Sequence, residues 1–267
     1  MTNWKDAIRL NNHAVVLLES DGAANDEAIV QCLQEAVGIL QDAIQGEIGN
    51  HVSPAQETEN QPAWNINTIR FSPERIRWFH DPDFFLFDHA FLLFEEEDAA
   101  RSHLFFNGRD RDAWIELQSS VVLFNLAVTF HRRALLRRQY EQLHPQQCDA
   151  VFLQNTQMLF SKSKLLYTMS NNILLEHGGN GARTNNDLFQ STKFAVRLGI
   201  ANNMAHIALL QDQREGDVSP IQDVGKLIEE GACEKVPMDL PFEILSGIVM
   251  NITYHHQKLS HPMAAAA

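Results

Sequence analysis

The sequence predicts a mainly α protein, built as an array of helix pairs with a terminal helix and one small inserted element. Three observations lead to this fold class. Apolar residues recur at helical spacing over most of the chain. A short phrase built on asparagine and alanine recurs in three of the predicted helices. Residues 46–110 interrupt the helical pattern. We expect a single domain over residues 1–267, with helix pairs at 5–45, 112–176 and 187–232, and a terminal helix at 241–259.

The boundaries of these elements follow from stop and start signals. In the first pair, Asp21-Gly22 ends one helix and Asn25 or Asp26 can cap the next. His144-Pro145 divides the second pair, and the glycine-rich stretch 177–181 ends it. Because that stretch lacks the Gly-Lys-Ser/Thr ending of a phosphate loop, we interpret it as a helix cap and linker.

The insert at 46–110 has a different composition from the rest of the chain. Residues 46–63 are polar and contain two prolines, which indicates a loop. Residues 65–71 alternate polar and apolar side chains, which favours a strand. Residues 84–94 are apolar and aromatic, typical of a second strand or of a buried helix. We expect a β-hairpin here, and its aromatic side chains form either a satellite core or a partner surface.

The repeated phrase places an asparagine two residues before an alanine. It occurs as Asn12-His13-Ala14, Asn125-Leu126-Ala127 and Asn203-Met204-Ala205. A second helix follows each copy, with positions four and three residues apart: Ile29, Leu33 and Ala36; Ser163, Tyr167 and Ser170; Ile221, Gly225 and Ile228. Small residues at such positions let two helices approach closely.

This pattern resembles the tetratricopeptide repeat (TPR), and is most similar to divergent TPR-like proteins expanded in some microalgae. The spacing between copies exceeds the usual period of about 34 residues, because the insert and a long helix lie between them. The resemblance implies an α-α superhelix whose concave groove is lined by the first helix of each pair. On this alignment the groove candidates are Asn11, Asn12, Val15, Phe124, Asn125, Val128, His131, Asn202, Asn203 and His206.

The function hypothesis that follows is a non-catalytic adaptor or scaffold, which binds a peptide or helix of another protein in the groove. Its asparagines either hydrogen-bond the backbone of the bound peptide or satisfy groups within the repeat. An alternative is a helical-shell enzyme or small-molecule-binding regulator, with a pocket formed by the insert around His89 and His103. A third possibility is self-association through the aromatic insert.

One basic cluster stands out in an acidic chain. Arg132, Arg133, Arg137 and Arg138 form either a docking patch for an acidic partner or phosphate, or a solvated helix end. With 21 basic against 34 acidic residues, the net charge of −13 argues against nucleic-acid binding.

Other features exclude further classes of site. The twelve histidines and three cysteines do not fall at the spacing of a metal site, and no catalytic motif is present, so we expect no cofactor, no metal and no enzyme activity. We interpret Asn251-Ile252-Thr253 as a chance glycosylation triplet. No apolar run is long enough to span a membrane. We expect an intracellular protein, cytoplasmic or nuclear.

Overall fold

A computed structural model describes residues 4–19, 26–48, 87, 90–93, 108–176, 187–211, 219–233 and 245–253. This part of the chain is mainly helical. Its helices are α1 (Trp4–Glu19), α2 (Asp26–Ile48), α3 (Gly108–Leu143), α4 (Ala150–Glu176), α5 (Asp187–Leu210), α6 (Ser219–Cys233) and α7 (245–253). A 3-10 turn at Pro145–Gln147 separates α3 from α4.

The described residues fall into two compact units. Unit 1 holds α1 to α4 together with residues 90–93, and unit 2 holds residue 87, α5 from Phe189 onward, α6 and α7. The single domain expected over residues 1–267 stays a prediction.

In unit 1, the first helix pair forms because each helix carries one continuous buried stripe. In α1 the stripe includes Ala7, Asn11 and Leu18, and in α2 it includes Ile29 and Leu40. Acidic residues begin both helices, where the positive end of the helix dipole stabilises them. α1 packs against α2, and α2 packs against α3.

α3 is buried almost all round over residues 117–131, as expected for a helix with neighbours on several sides. It packs along α4, and small residues line the contact. The hydroxyl of Ser120 donates to the carbonyl of Ser170 at 3.1 Å, and Ser170 donates back to the Ser120 carbonyl at 2.9 Å. About two turns further along α3, the hydroxyl of Ser163 in α4 donates to the carbonyl of Ala127 at 2.8 Å. The small residues thus let the two backbones come within side-chain hydrogen-bonding reach.

In unit 2, a glycine permits α5 and α6 to approach each other closely. A Cβ atom placed on Gly231 of α6 would lie 2.4 Å from a ring carbon of Phe194 in α5. Phe194 is buried, so the ring has little room to withdraw. Gly225, in the same helix, has nothing within 4 Å of its Cβ position.

The predicted hairpin is not observed in the part of the insert that the structure describes. Residues 87 and 90–93 are neither strand nor helix, while 65–71 lies outside the described residues. The reason lies in the hydrogen bonds: the main chain at Phe87, Phe91 and Leu93 pairs with asparagine side chains, so these groups are not available to a neighbouring strand.

None of the described helices is both long and apolar enough to cross a membrane.

Candidate functional site

The centre of the site in unit 1 is the carboxamide of Asn125, on α3. Its Oδ1 accepts the N–H of Phe91 at 2.8 Å, and its Nδ2 donates to the carbonyl of the same residue at 2.8 Å. One side chain thereby satisfies both main-chain groups of Phe91. Asn125 is fully buried, so these bonds form where water is excluded and an unpaired group would be costly.

Asn12 of α1 repeats this arrangement two residues along the insert. Its Oδ1 accepts the N–H of Leu93 at 2.8 Å, and its Nδ2 donates to the carbonyl of Leu93. Asn11 links the two asparagines: it accepts a bond from Asn125 at 2.8 Å, and donates to Asn12 at 3.2 Å and to the Phe91 carbonyl at 3.1 Å. The three carboxamides of Asn11, Asn12 and Asn125, termed here the first asparagine cluster, form one connected network.

This pairing fixes the conformation of the insert at residues 91–93. A carboxamide can bridge the N–H and C=O of one residue only when both groups point to the same side, as they do in an extended chain. In an extended chain the N–H and C=O of the next residue point to the opposite side, and those of the residue after it point to the first side again. Asparagine side chains bond Phe91 and Leu93, two residues apart, as expected if residues 91–93 are extended and one side of their main chain faces the asparagines.

The side chain of Phe91 joins a row of aromatic rings in unit 1. Its ring centroid lies 5.0 Å from that of Phe124, which lies 5.6 Å from Tyr167 of α4. His131 continues the row, 6.2 Å from Tyr167 and edge-on to it. Phe91, Phe124 and Tyr167 are fully buried, so the segment contributes a core side chain as well as its main chain.

Unit 2 contains the same chemistry at Phe87. Asn203 of α5 accepts the N–H of Phe87 at 3.0 Å and donates to its carbonyl at 2.7 Å. Asn202 donates to Asn203 at 3.3 Å and accepts a bond from Asn251 of α7 at 2.7 Å. We term Asn202, Asn203 and Asn251 the second asparagine cluster.

All the groove candidates that the sequence indicated are placed by the structure. Four of the five asparagines bind the main chain of this same chain at residues far away in sequence, while Asn202 bonds the side chains of Asn203 and Asn251. The remaining candidates are buried, with at most 2% of their surface exposed: Val15, Phe124, Val128, His131 and His206. These side chains accordingly pack inside the two units and do not line an open surface.

The four arginines lie half-buried on α3, and Arg132, Arg133 and Arg137 contact other elements of unit 1. Arg132 donates to the Leu18 carbonyl at 3.2 Å, in the last turn of α1. Arg133 lies 3.5 Å from the carboxylate of Asp26, at the start of α2.

Arg137 has its partners on α4. It donates to Thr156 Oγ1 at 3.3 Å, and its guanidinium lies 4.0 Å above the ring of Phe152 in α4. Arg132 and Arg137 are five residues apart, so their side chains point in directions that differ by about 140° around the helix. The arginines thus tie α3 to three other helices, with Arg138 half-buried beside them.

The remaining chemistry of the described residues is modest. No group of three or more histidine, cysteine or acidic side chains among them could hold a metal ion. His89 and His103, on which the enzyme alternative depends, lie outside the described residues. Partial burial raises the pKa of the Cys32 thiol, and the nearby Glu35 raises it further, so this thiol stays protonated at neutral pH.

Sequence reasoning missed Asn251 as a site residue. It is 2% exposed and bonds to Asn202 as Asn125 bonds to Asn11. The available signal was an asparagine followed two residues later by a small residue, here Thr253, in the predicted terminal helix. That signal was interpreted as a glycosylation triplet.

Comparison with protein-family models, curated proteins and solved structures finds no match to this chain.

Proposed function

We propose that this protein is a non-catalytic binding module, a TPR-like array of helix pairs that holds an extended segment of a partner protein through asparagine carboxamides. Within this proposal, residues 90–93 in unit 1 and residue 87 in unit 2 each stand where part of a partner segment would bind. The observation that carries the proposal is the paired hydrogen bonding of Asn125 to both main-chain groups of Phe91.

Main-chain recognition of this kind is suited to peptide binding. A carboxamide presents one donor and one acceptor side by side, which complements the N–H and C=O of one extended residue. Asn12, Asn125 and Asn203 all use it, and they occupy equivalent places in the repeated phrase. The same donor and acceptor pair therefore recurs at three positions of the chain.

In this proposal, the chain's own residues 87 and 90–93 compete with a partner segment for the asparagines. Since they are part of the same chain, they compete at an effective concentration of the order of millimolar. A partner segment binds either by matching the site better or after the internal segment has been displaced. We accordingly expect weak binding of added peptides to the intact protein and strong binding once the segment is removed.

The test uses a full-length variant in which residues 84–97 are replaced by a glycine-serine linker of equal length. A fluorescently labelled peptide with the natural sequence of residues 84–97 is added, and binding is followed by anisotropy. We expect saturable binding, weakened at least about tenfold by Asn125→Ala in the same background. Asn172→Ala, an exposed asparagine of α4, is the matched control and should bind as the parent does.

A second design covers the case in which the linker variant does not fold. Protease sites introduced at residues 57–60 and 95–98 allow the segment to be cut on both sides after the natural chain has folded. The labelled peptide should then exchange into the site. Absence of both binding and exchange, in protein that retains its helical circular dichroism, would contradict the proposal.

A further inference from the structure

We propose that two copies of this chain pair reversibly through the exposed face of α4, with the two α4 helices parallel and in the same register. The occupant of this face is therefore a second copy of the chain. The proposal is independent of the proposed function, because the residues of the first asparagine cluster lie on other helices.

One side of α4 is both apolar and exposed. Ser163, Tyr167 and Ser170 are fully buried on the side that packs against α3. Residues 7, 14 and 18 positions apart fall within about 40° of one another around an α-helix, so a row of apolar side chains forms on the far side. This row, termed here the α4 stripe, consists of Val151 with 61% of its surface exposed, Met158 with 47%, Leu165 with 61% and Met169 with 40%.

The stripe has the spacing of a helix that pairs with an identical helix. Val151, Met158 and Leu165 are seven residues apart, and the exposed Asn172 follows seven residues later. In a parallel two-stranded coiled coil, such positions meet the same residues of the partner helix. Three apolar pairs would form in this register, and Asn172 would meet its own copy. A single asparagine at such a position specifies register at some cost in stability.

The charges on α4 favour a second copy in the parallel register. Two chains of net charge −13 repel each other, but residues 150–175 contain no acidic residue and only two lysines. In the parallel register, Lys162 lies beside Gln157 of the second copy, and Lys164 lies beside Met169. In an antiparallel pair with Met158 against Leu165, the two copies of Lys162 would lie side by side and repel each other. 

The area of the stripe fits a reversible dimer. Its four side chains, exposed by 40–61%, offer on the order of 400 Å² of apolar surface per copy. With the polar side chains that flank the stripe, the pair would bury about 1,200 Å² in total, which is the lower end of the range for specific interfaces. We accordingly expect dissociation in the micromolar range.

Sedimentation velocity over about 1–200 µM tests the association. The natural chain should change from monomer to dimer, with a Kd on the order of 10–100 µM. Leu165→Lys should weaken dimerisation at least about tenfold, because it places two ammonium groups between the helices. It should retain the helical circular dichroism, since Leu165 is 61% exposed. Val16→Lys is the matched control, because Val16 is 57% exposed on α1, and this variant should dimerise as the natural chain does.

Cross-linking tests the register, in a background in which the three natural cysteines are replaced by serine. Met158→Cys and Leu165→Cys should each form a disulfide-linked dimer on their own under mild oxidation, because parallel helices in register bring identical positions together. An antiparallel pair would instead cross-link only in a mixture of the two variants.

Each contrary outcome overturns a defined part of the proposal. A natural chain that stays monomeric over the whole concentration range would overturn pairing with a second copy. A dimer that Leu165→Lys leaves unchanged would overturn the assignment to α4 and place the contact on another surface. Cross-links that form only in the mixture would overturn the parallel register.

Discussion

The two asparagine clusters make the same hydrogen bonds at very different separations in the chain. In each cluster, two adjacent asparagines on one helix are joined by a bond of 3.2 Å or 3.3 Å, and a third asparagine donates to the first at 2.8 Å or 2.7 Å. The third residue is 114 positions away in the first cluster and 49 positions away in the second. The two clusters therefore repeat the same hydrogen-bonded contact between helices, although the number of residues between the bonded asparagines differs.

The clusters differ in what surrounds them. In unit 1, serines close the contact between α3 and α4, and the three asparagines hold two residues of the insert. In unit 2, the glycine at position 231 permits α6 to approach Phe194, and Asn203 holds Phe87. Each unit thus combines a close helix contact with a carboxamide that holds the main chain of the insert.

The largest effects are expected for Asn125 and Asn203, each of which makes three buried hydrogen bonds. Asn125→Ala removes three buried hydrogen bonds, of which the one to the Phe91 carbonyl is duplicated by Asn11, and should lower the free energy of unfolding by about 2–4 kcal/mol. Asn203→Ala should lower it by about 2–4 kcal/mol. Asn12→Ala should lower it by about 1 kcal/mol, because Asn12 is half-buried and water can replace it. Urea unfolding gives all three values, and equal losses at the three positions would contradict this ranking.

The second expectation concerns the close contact in unit 2. Gly231→Ala should lower the free energy of unfolding by about 1–3 kcal/mol, because the new methyl group meets the ring of Phe194. Gly225→Ala lies in the same helix with open space around it, and should raise stability by about 0.5–1 kcal/mol through helix propensity. Thermal and urea unfolding of the pair provides the test, and a stabilised Gly231→Ala variant would refute the close contact.

The third expectation tests whether the two clusters are energetically equivalent. A double-mutant cycle of Asn202→Ala and Asn251→Ala should give a coupling energy of about 1 kcal/mol, and the cycle of Asn11→Ala and Asn125→Ala should give a similar value. Additive effects in the Asn202 and Asn251 cycle would show that Asn251 does not share the role of Asn125.

The smallest effect is expected at the arginines. Arg133→Gln removes a half-exposed ion pair with Asp26 and should lower stability by at most about 1 kcal/mol, an effect that decreases with added salt. Unfolding at low and high salt checks this. A loss of several kcal/mol that is insensitive to salt would mean that Arg133 contributes through packing instead.

Most of the helical framework could be predicted from the sequence, since periodicity and capping are local. The predicted pair at 5–45 corresponds to Trp4–Glu19 and Asp26–Ile48, and the pair at 112–176 corresponds to Gly108–Leu143 and Ala150–Glu176. The repeated asparagines could also be identified as candidate site residues, because they recur at the same place in a short repeated sequence.

The partners of these residues could not be predicted in the same way. Asn125 and Asn203 pair with residues 34 and 116 positions away, and no periodic pattern encodes such a distance. The apolar run at 84–94 fitted either a strand or a buried helix, and the main chain of Phe91 and Leu93 within it pairs with asparagine side chains. The partners of Arg132, Arg133 and Arg137 could not be predicted either, because they lie on helices that are distant in sequence.

Hydrogen exchange at the main-chain amides of Phe91 and Leu93 tests the central claim most directly. If asparagine carboxamides hold this segment, both amides are strongly protected in the natural protein. Asn125→Ala should then remove the protection at Phe91 while the amides along the contact of α3 with α4 remain protected. Exchange of Phe91 and Leu93 at the rate of an unstructured peptide in the natural protein would contradict the account.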